Sequence, residues 1–158
     1  MMKKPIVISG FPGIGKSHSA LTRDNYRIID LDSALFKSNE SLDFPEAYLD
    51  EIESMLMTDH PADFIFVSTH QEVRDGLADR GVPYVLAYPE TGLRDAYLAL
   101  YRDRQSPEAF ISHMTEHFDA YQNAVAEDDQ AVHHFTLGPS VTLDDALDNI
   151  HKIMRGHK

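Results

Sequence analysis

Short unbroken apolar runs alternate along this chain with stretches in which apolar residues recur every three or four positions. The runs lie at 5–9, around Ile28-Ile29 within 26–31, at Phe64-Ile65-Phe66-Val67, at 84–88 and at 132–137. Continuous apolar runs, rather than strict alternation, predict strands covered on both faces, as in a parallel sheet. The last run is more polar and predicts an edge strand. Between the runs, Tyr48, Leu49, Ile52, Met55 and Leu56 fall on one helical face. Val73 with Leu77 marks a shorter helix, and Leu93, Ala96, Tyr97, Leu100 and Tyr101 repeat the helical spacing. Phe110, Met114, Phe118, Tyr121 and Val125 form a long stripe, with Ser106 and Pro107 as expected cap and first helical residue. A final helix carries Leu143, Ala146, Leu147, Ile150, Ile153 and Met154, opened by a capping-box variant of Thr142 and Asp145. Alternating strands and crossover-length helices predict a three-layer α/β fold.

Composition narrows the class. The chain has 158 residues, which suits a single domain over 1–158. Its apolar fraction of 42 % is too high for a disordered chain. There is no cysteine, so disulfides and thiolate metal sites are excluded. No apolar run approaches the roughly 20 residues of a membrane-spanning helix, and the first residues are too weakly apolar for a secretory signal. A cytoplasmic protein with no membrane partner, monomeric or homodimeric, is the expectation. Fourteen Lys and Arg against 26 Asp and Glu leave a net charge of −12. Nucleic acid is therefore not an expected partner, because duplex binding needs a basic footprint. A single anion in a local pocket remains compatible with that charge.

Gly10-Phe11-Pro12-Gly13-Ile14-Gly15-Lys16-Ser17 carries the sharpest chemical signal. It satisfies G-x-x-x-x-G-K-[ST], and it stands after an apolar strand and before a helix, where a phosphate-binding loop must stand. Glycines let backbone N–H groups converge on a phosphate without Cβ clashes. The helix N-terminus adds partial positive charge. Gly10, Gly13, Ile14, Gly15, Lys16, Ser17 and His18 are the expected nucleotide-binding residues. Lys16 would reach the β- and γ-phosphates, and Ser17 would ligate Mg²⁺.

In this loop and its setting the chain resembles the P-loop kinases, specifically the small nucleotide-kinase-like group of bacteria and phages that includes adenylate, shikimate and gluconate kinases. The resemblance implies a five-stranded parallel sheet in the order 2-3-1-4-5, ATP as phosphoryl donor, and Mg²⁺. It implies that Asp32, then Asp30, serves the metal or the acceptor from the end of the second strand. The expected activity is transfer of the γ-phosphoryl of ATP to a small acceptor, most readily a nucleotide or nucleoside. A hydroxyl metabolite as acceptor, and a non-catalytic nucleotide-binding regulatory module, are the alternatives.

Two departures bear on that choice. The segment at about 33–62 would hold the acceptor, yet its only cation is Lys37, set among many acids. Lys37 with Arg74 would have to hold an acceptor phosphate, with His70 as a further acceptor contact. The third strand is followed by Ser68-Thr69-His70, where many such enzymes place an acid. Further along, the helix ending at Arg102 and Arg104 leads into a short lid at about 102–112. Planar guanidinium groups match the equatorial oxygens of a phosphoryl in transit. Lys16, Asp32, Arg102 and Arg104 are thus the expected catalytic residues, and Ser17 and Asp32 the expected metal ligands. The pairs His113/His117 and His133/His134 are expected to be structural.

Overall fold

The computed structural model describes residues 4–16, 19, 22–31, 46–57, 62–139 and 141–155. The apolar runs form β1 (Ile6–Gly10), β2 (Ile28–Asp30), β3 (Phe64–Val67), β4 (Val85–Pro89) and β5 (His133–Leu137). They pair in one sheet, all parallel, in the order β2-β3-β1-β4-β5. Five helices among the described residues flank it: α1 (Glu46–Met57), α2 (Gln71–Asp79), α3 (Arg94–Asp103), α4 (Glu108–Ala126) and α5 (Leu143–Arg155). This is the α/β class and strand order expected.

Burial follows strand position. Every residue of β1, β3 and β4 is buried, as strands in mid-sheet require. The edge strands differ: β2 is half-buried throughout, and β5 exposes His133 and Thr136 while burying Phe135 and Leu137. In register, Ile8 faces Phe66 on one side and Val85 on the other, and Gly10 faces Ala87. Asp30 faces Phe66. The C-terminal ends of the strands therefore share one edge, where open parallel sheets place their ligand crevice.

The helices keep their expected positions, but two of them turn differently from the expected stripes. In α3 the buried face is Tyr97, Leu98 and Tyr101, with Ala96 exposed. In α4 it is Ile111, Met114, Phe118, Gln122 and Val125. Phe110 and Tyr121 sit to one side of that face, Tyr121 at 40 % exposure. Apolar spacing could not separate the two settings, because Ile111 and Phe110 are adjacent and both apolar. Gln122 enters the core because its amide reaches the Pro89 carbonyl, at 3.1 Å. Pro107, not Ser106, is the N-cap of α4, and it makes no side-chain cap. The capping box of α5 forms as expected: Thr142 N donates to Asp145 Oδ2 at 2.9 Å and Asp145 N to Thr142 Oγ1 at 3.4 Å.

Arg80, past the end of α2, ties that helix to α1. It binds Glu46 (2.7 Å), Asp50 (2.8 Å) and Glu53 (3.2 Å), so part of the acidic face of α1 is neutralised within the fold. Among the described residues no helix is long and apolar enough to cross a membrane.

Candidate functional site

The central strand β1 ends in the glycine loop. Phe11 N donates to the Ala87 carbonyl at 3.0 Å, which fixes the loop's first residue to β4. Phe11 and Ile14 are fully buried and anchor the loop from below. Gly13 and Gly15 take φ +92° and +101°, a left-handed region that side chains disfavour. At Gly13 a Cβ would also lie 2.5 Å from Tyr101 Cε1. Lys16 curls back over the loop, its Nζ donating to the carbonyls of Gly10 (2.7 Å) and Phe11 (3.3 Å).

Two helices brace the loop from opposite ends. Tyr101 on α3 donates its hydroxyl to the Pro12 carbonyl at 2.8 Å. Burial pushes this phenol's pKa up, Tyr97 adds to the shift, and the charge of Arg104 opposes it. From the other side, Leu143 N at the start of α5 donates to the Ile14 carbonyl at 2.8 Å. The same helix holds the residues after the loop: Ser19 Oγ reaches Asp144 at 3.4 Å, and Arg23 binds Asp144 (3.3 Å) and Asp148 (2.7 Å).

The expected site residues separate into distinct groups. Gly10, Gly13, Ile14, Gly15 and Lys16 form the loop itself. Asp30 ends β2 on the crevice edge. Ser17, His18, Asp32 and Lys37 lie outside the described residues, as does much of the segment expected to hold the acceptor. Arg102 and Arg104 are both exposed at the end of α3. They are not equivalent. Arg104 is three positions from Tyr101 and lies about 60° from it around the helix axis, whereas Arg102 lies about 100° from it. The charge of Arg104 opposes the upward pKa shift that burial gives the Tyr97 and Tyr101 phenols.

Arg74 departs most from expectation. It is 3 % exposed. Its Nη1 binds Asp128 Oδ2 at 2.7 Å, its Nε donates to the Thr69 carbonyl at 3.0 Å, and its Nη2 to Gln71 Oε1 at 3.1 Å. All three guanidinium nitrogens are engaged, and the charge is matched inside the protein. Arg74 is a structural cation, not one available to an acceptor phosphate. Asp128 also accepts from Tyr84 Oη (2.7 Å) and from the backbone N–H of Gln130 (2.7 Å) and Ala131 (2.9 Å). Burial alone would raise the carboxyl pKa of Asp128; these partners outweigh burial and hold it below the ordinary value. His134 completes the network, bound to the Asp128 carbonyl (2.8 Å) and Tyr88 Oη (2.7 Å).

Where an acid was sought after β3, Ser68 joins three elements. Its carbonyl accepts from Ser9 Oγ at 2.8 Å, its N–H donates to Tyr48 Oη at 3.3 Å, and its Oγ meets His70 Nδ1 at 2.7 Å. Tyr48 Oη donates in turn to the Leu31 carbonyl at 2.7 Å, tying the ends of β2 and β3 together. Helical spacing placed Tyr48 in the core but was silent on its hydroxyl. The available signal was a tyrosine where phenylalanine would suffice, since a buried phenol needs a partner.

Beside the loop, between the start of α2 and the flank of α4, lies a cavity of about 580 Å³. Pro12 of the loop, His70, Phe110, His113, Met114 and Tyr121 contribute to its wall. On α4, His113 and His117 pack at a tilt with ring centres 4.6 Å apart, and Tyr121 stacks on His117. Among the described residues no group of three or more His, Asp or Glu side chains forms a metal cage.

No family model and no curated protein matches the chain. Among solved structures it is similar to the tunicamycin resistance protein of Deinococcus radiodurans, with a TM-score of 0.56 and 14 % identity over 99 % of this chain and 98 % of that one. TT1252 from Thermus thermophilus aligns over 99 % of this chain and 100 % of its own at 14 % identity, with a TM-score of 0.47. At these identities the likeness is one of fold: the chain has the α/β fold of the first of these proteins.

Proposed function

We propose that this protein is an ATP-dependent phosphotransferase acting on a small acceptor, a member of the P-loop kinase group its loop resembles. One observation carries the reading. The Gly10–Lys16 loop sits at the end of the central strand, on the crevice edge, with Gly13 and Gly15 at positive φ and Lys16 folded over the turn. That conformation suits a phosphate cradle. A phosphate entering the loop offers Lys16 a charged acceptor in place of two neutral carbonyls, a stronger hydrogen bond. Backbone N–H groups would hold the phosphates, and Arg104 is the proposed group to meet charge developing on the transferring group.

Mg²⁺ would arrive with the nucleotide and needs only one or two protein oxygens. Ser17 and Asp32 are the proposed ligands, with Asp30 as the neighbouring carboxylate. When bound, the metal would neutralise phosphate charge. This chain's own residues would orient donor and acceptor and exclude water.

The test is phosphoryl transfer from ATP in the presence of Mg²⁺, followed by mass spectrometry over pooled small acceptors, with Lys16→Ala as control. A phosphorylated product formed by the wild type and missing with Lys16→Ala supports the reading. ATP bound tightly with no transfer to any acceptor would favour the second reading, a regulatory nucleotide-binding module. The observation behind that alternative is Ser68, a neutral side chain already engaged by His70, where such enzymes often carry an acid.

A further inference from the structure

The cavity beside the glycine loop constrains what the acceptor can be. We infer that it receives a neutral, ring-bearing molecule with a free hydroxyl, and that it does not receive a phosphate monoester. This deepens the phosphotransferase reading and rests on it for the transfer step, though not for the binding step.

Charge is the first argument. Among the described residues on the cavity wall the only Lys or Arg is Arg74, and Asp128 neutralises it at 2.7 Å. Glu72 stands on the same wall, in the first turn of α2, and takes the place where the helix end would favour an anion. A phosphate monoester would bring a double negative charge to a wall whose described residues offer it no uncompensated Lys or Arg. Desolvating such a charge without a partner is strongly unfavourable.

Shape and surface are the second. Phe110, Met114, Tyr121, Ala124 and Val125 form the α4 side. Phe110 stacks edge-on with Tyr101, the residue that buttresses the loop, with ring centres 5.0 Å apart. Aromatic and thioether side chains on one wall suit a flat apolar ring. The opposite wall carries Thr69, His70 and Gln71, polar groups suited to hydroxyls. A volume of about 580 Å³ accommodates a molecule of nucleoside size or somewhat larger.

The transfer step balances without a further reactant. The acceptor hydroxyl oxygen bonds to the γ-phosphorus of ATP as the bond from that phosphorus to the β,γ-bridging oxygen breaks. ADP leaves, and the hydroxyl proton passes to a ring nitrogen of His70 and on to water. Pro12 and His70 on the same wall set the cavity's polar side next to the phosphate loop.

The experiment compares matched pairs: thymidine with thymidine 5′-monophosphate, and 2-phenylethanol with its phosphate ester. Ligand-observed NMR reads binding to the whole protein, and mass spectrometry reads transfer from ATP. The neutral member should bind at least about tenfold tighter than its ester. Ala124→Trp, an exposed helix position on the cavity wall, should weaken the neutral member by about tenfold while ATP affinity changes less than about twofold. Tyr121→Ser, also exposed, should weaken it too. Esters binding as well as the neutral compounds, no neutral compound binding, or unchanged binding in both variants would each overturn the inference. Transfer to the esters would overturn it while leaving the phosphotransferase standing. Neutral-probe binding without any ATP binding would overturn the phosphotransferase while leaving the cavity's preference standing.

Discussion

Replacing Arg74 by alanine separates a structural cation from an acceptor-binding one. The residue is 3 % exposed and its partner carboxylate is 2.7 Å away. Breaking a buried pair from one side leaves the other charge stranded, at a cost of about 3–5 kcal/mol. Asp128 would keep Tyr84 Oη and the N–H groups of Gln130 and Ala131, so the loss should fall near the lower end, about 3 kcal/mol. For a domain of this size that lowers Tm by about 6–12 °C. Asp128→Ala should cost more. It strands the Arg74 charge and also leaves the buried Tyr84 hydroxyl without its acceptor, a further loss of about 1–3 kcal/mol. Because both changes act on one network, the double variant should fall short of the summed losses by about 2 kcal/mol. Urea unfolding of the four proteins measures all of these terms. The dependence on pH has a definite sign. The folded-state pKa of Asp128 lies below its unfolded value of about 3.9. Its contribution is therefore intact above that value and is lost as pH falls through the lower, folded-state pKa. The gap between wild type and Asp128→Asn should thus narrow in acid. A loss below about 1 kcal/mol for Arg74→Ala, well under the range for a broken buried pair, together with a raised KM for an acceptor, would refute this account and restore Arg74 to the acceptor site.

Three further outcomes follow from the geometry. Gly13→Ala should abolish ATP binding and destabilise the fold by about 2–4 kcal/mol, since it adds left-handed strain to a collision with Tyr101; pairing it with Tyr101→Ala should recover part of the stability and none of the strain. Arg104→Ala should lower kcat by at least about tenfold, as loss of a charge stabilising the transferring group would, whereas Arg102→Ala should leave it within about twofold; equal effects would show that both reach the phosphates. Tyr26, whose hydroxyl donates to Asp148 at 2.7 Å, has its pKa pushed up to about 12, first by burial and then by that bond. Stability should therefore fall between about pH 10 and pH 12, and Tyr26→Phe should flatten that slope in alkaline unfolding curves.

Much was legible in the pattern of residues. Unbroken apolar runs announced mid-sheet strands, and the more polar final run announced an edge. The glycine loop was readable because its requirements are local: three glycines, a lysine and a strand before them are contiguous in the chain. The capping box of α5 is local in the same way, and it formed as read.

Properties set by distant partners were not legible. Arg74 was expected to bind the acceptor because its carboxylate partner is 54 positions away and invisible to local pattern. Phe110 and Tyr121 matched a helical stripe, and only packing showed that Ile111 and Gln122 fill the core while those aromatics wall a cavity. Arg102 and Arg104 are near-neighbours in sequence, yet the turn of the helix sets Arg104 nearer than Arg102 to the face that carries Tyr101. Apolar spacing and loop composition are short-range properties, so the chain by itself determined the α/β class and the glycine loop after the first strand. Which charges are neutralised, and what faces the space beside that loop, depends on contacts that exist only once the sheet has closed, and the tertiary structure alone decided them.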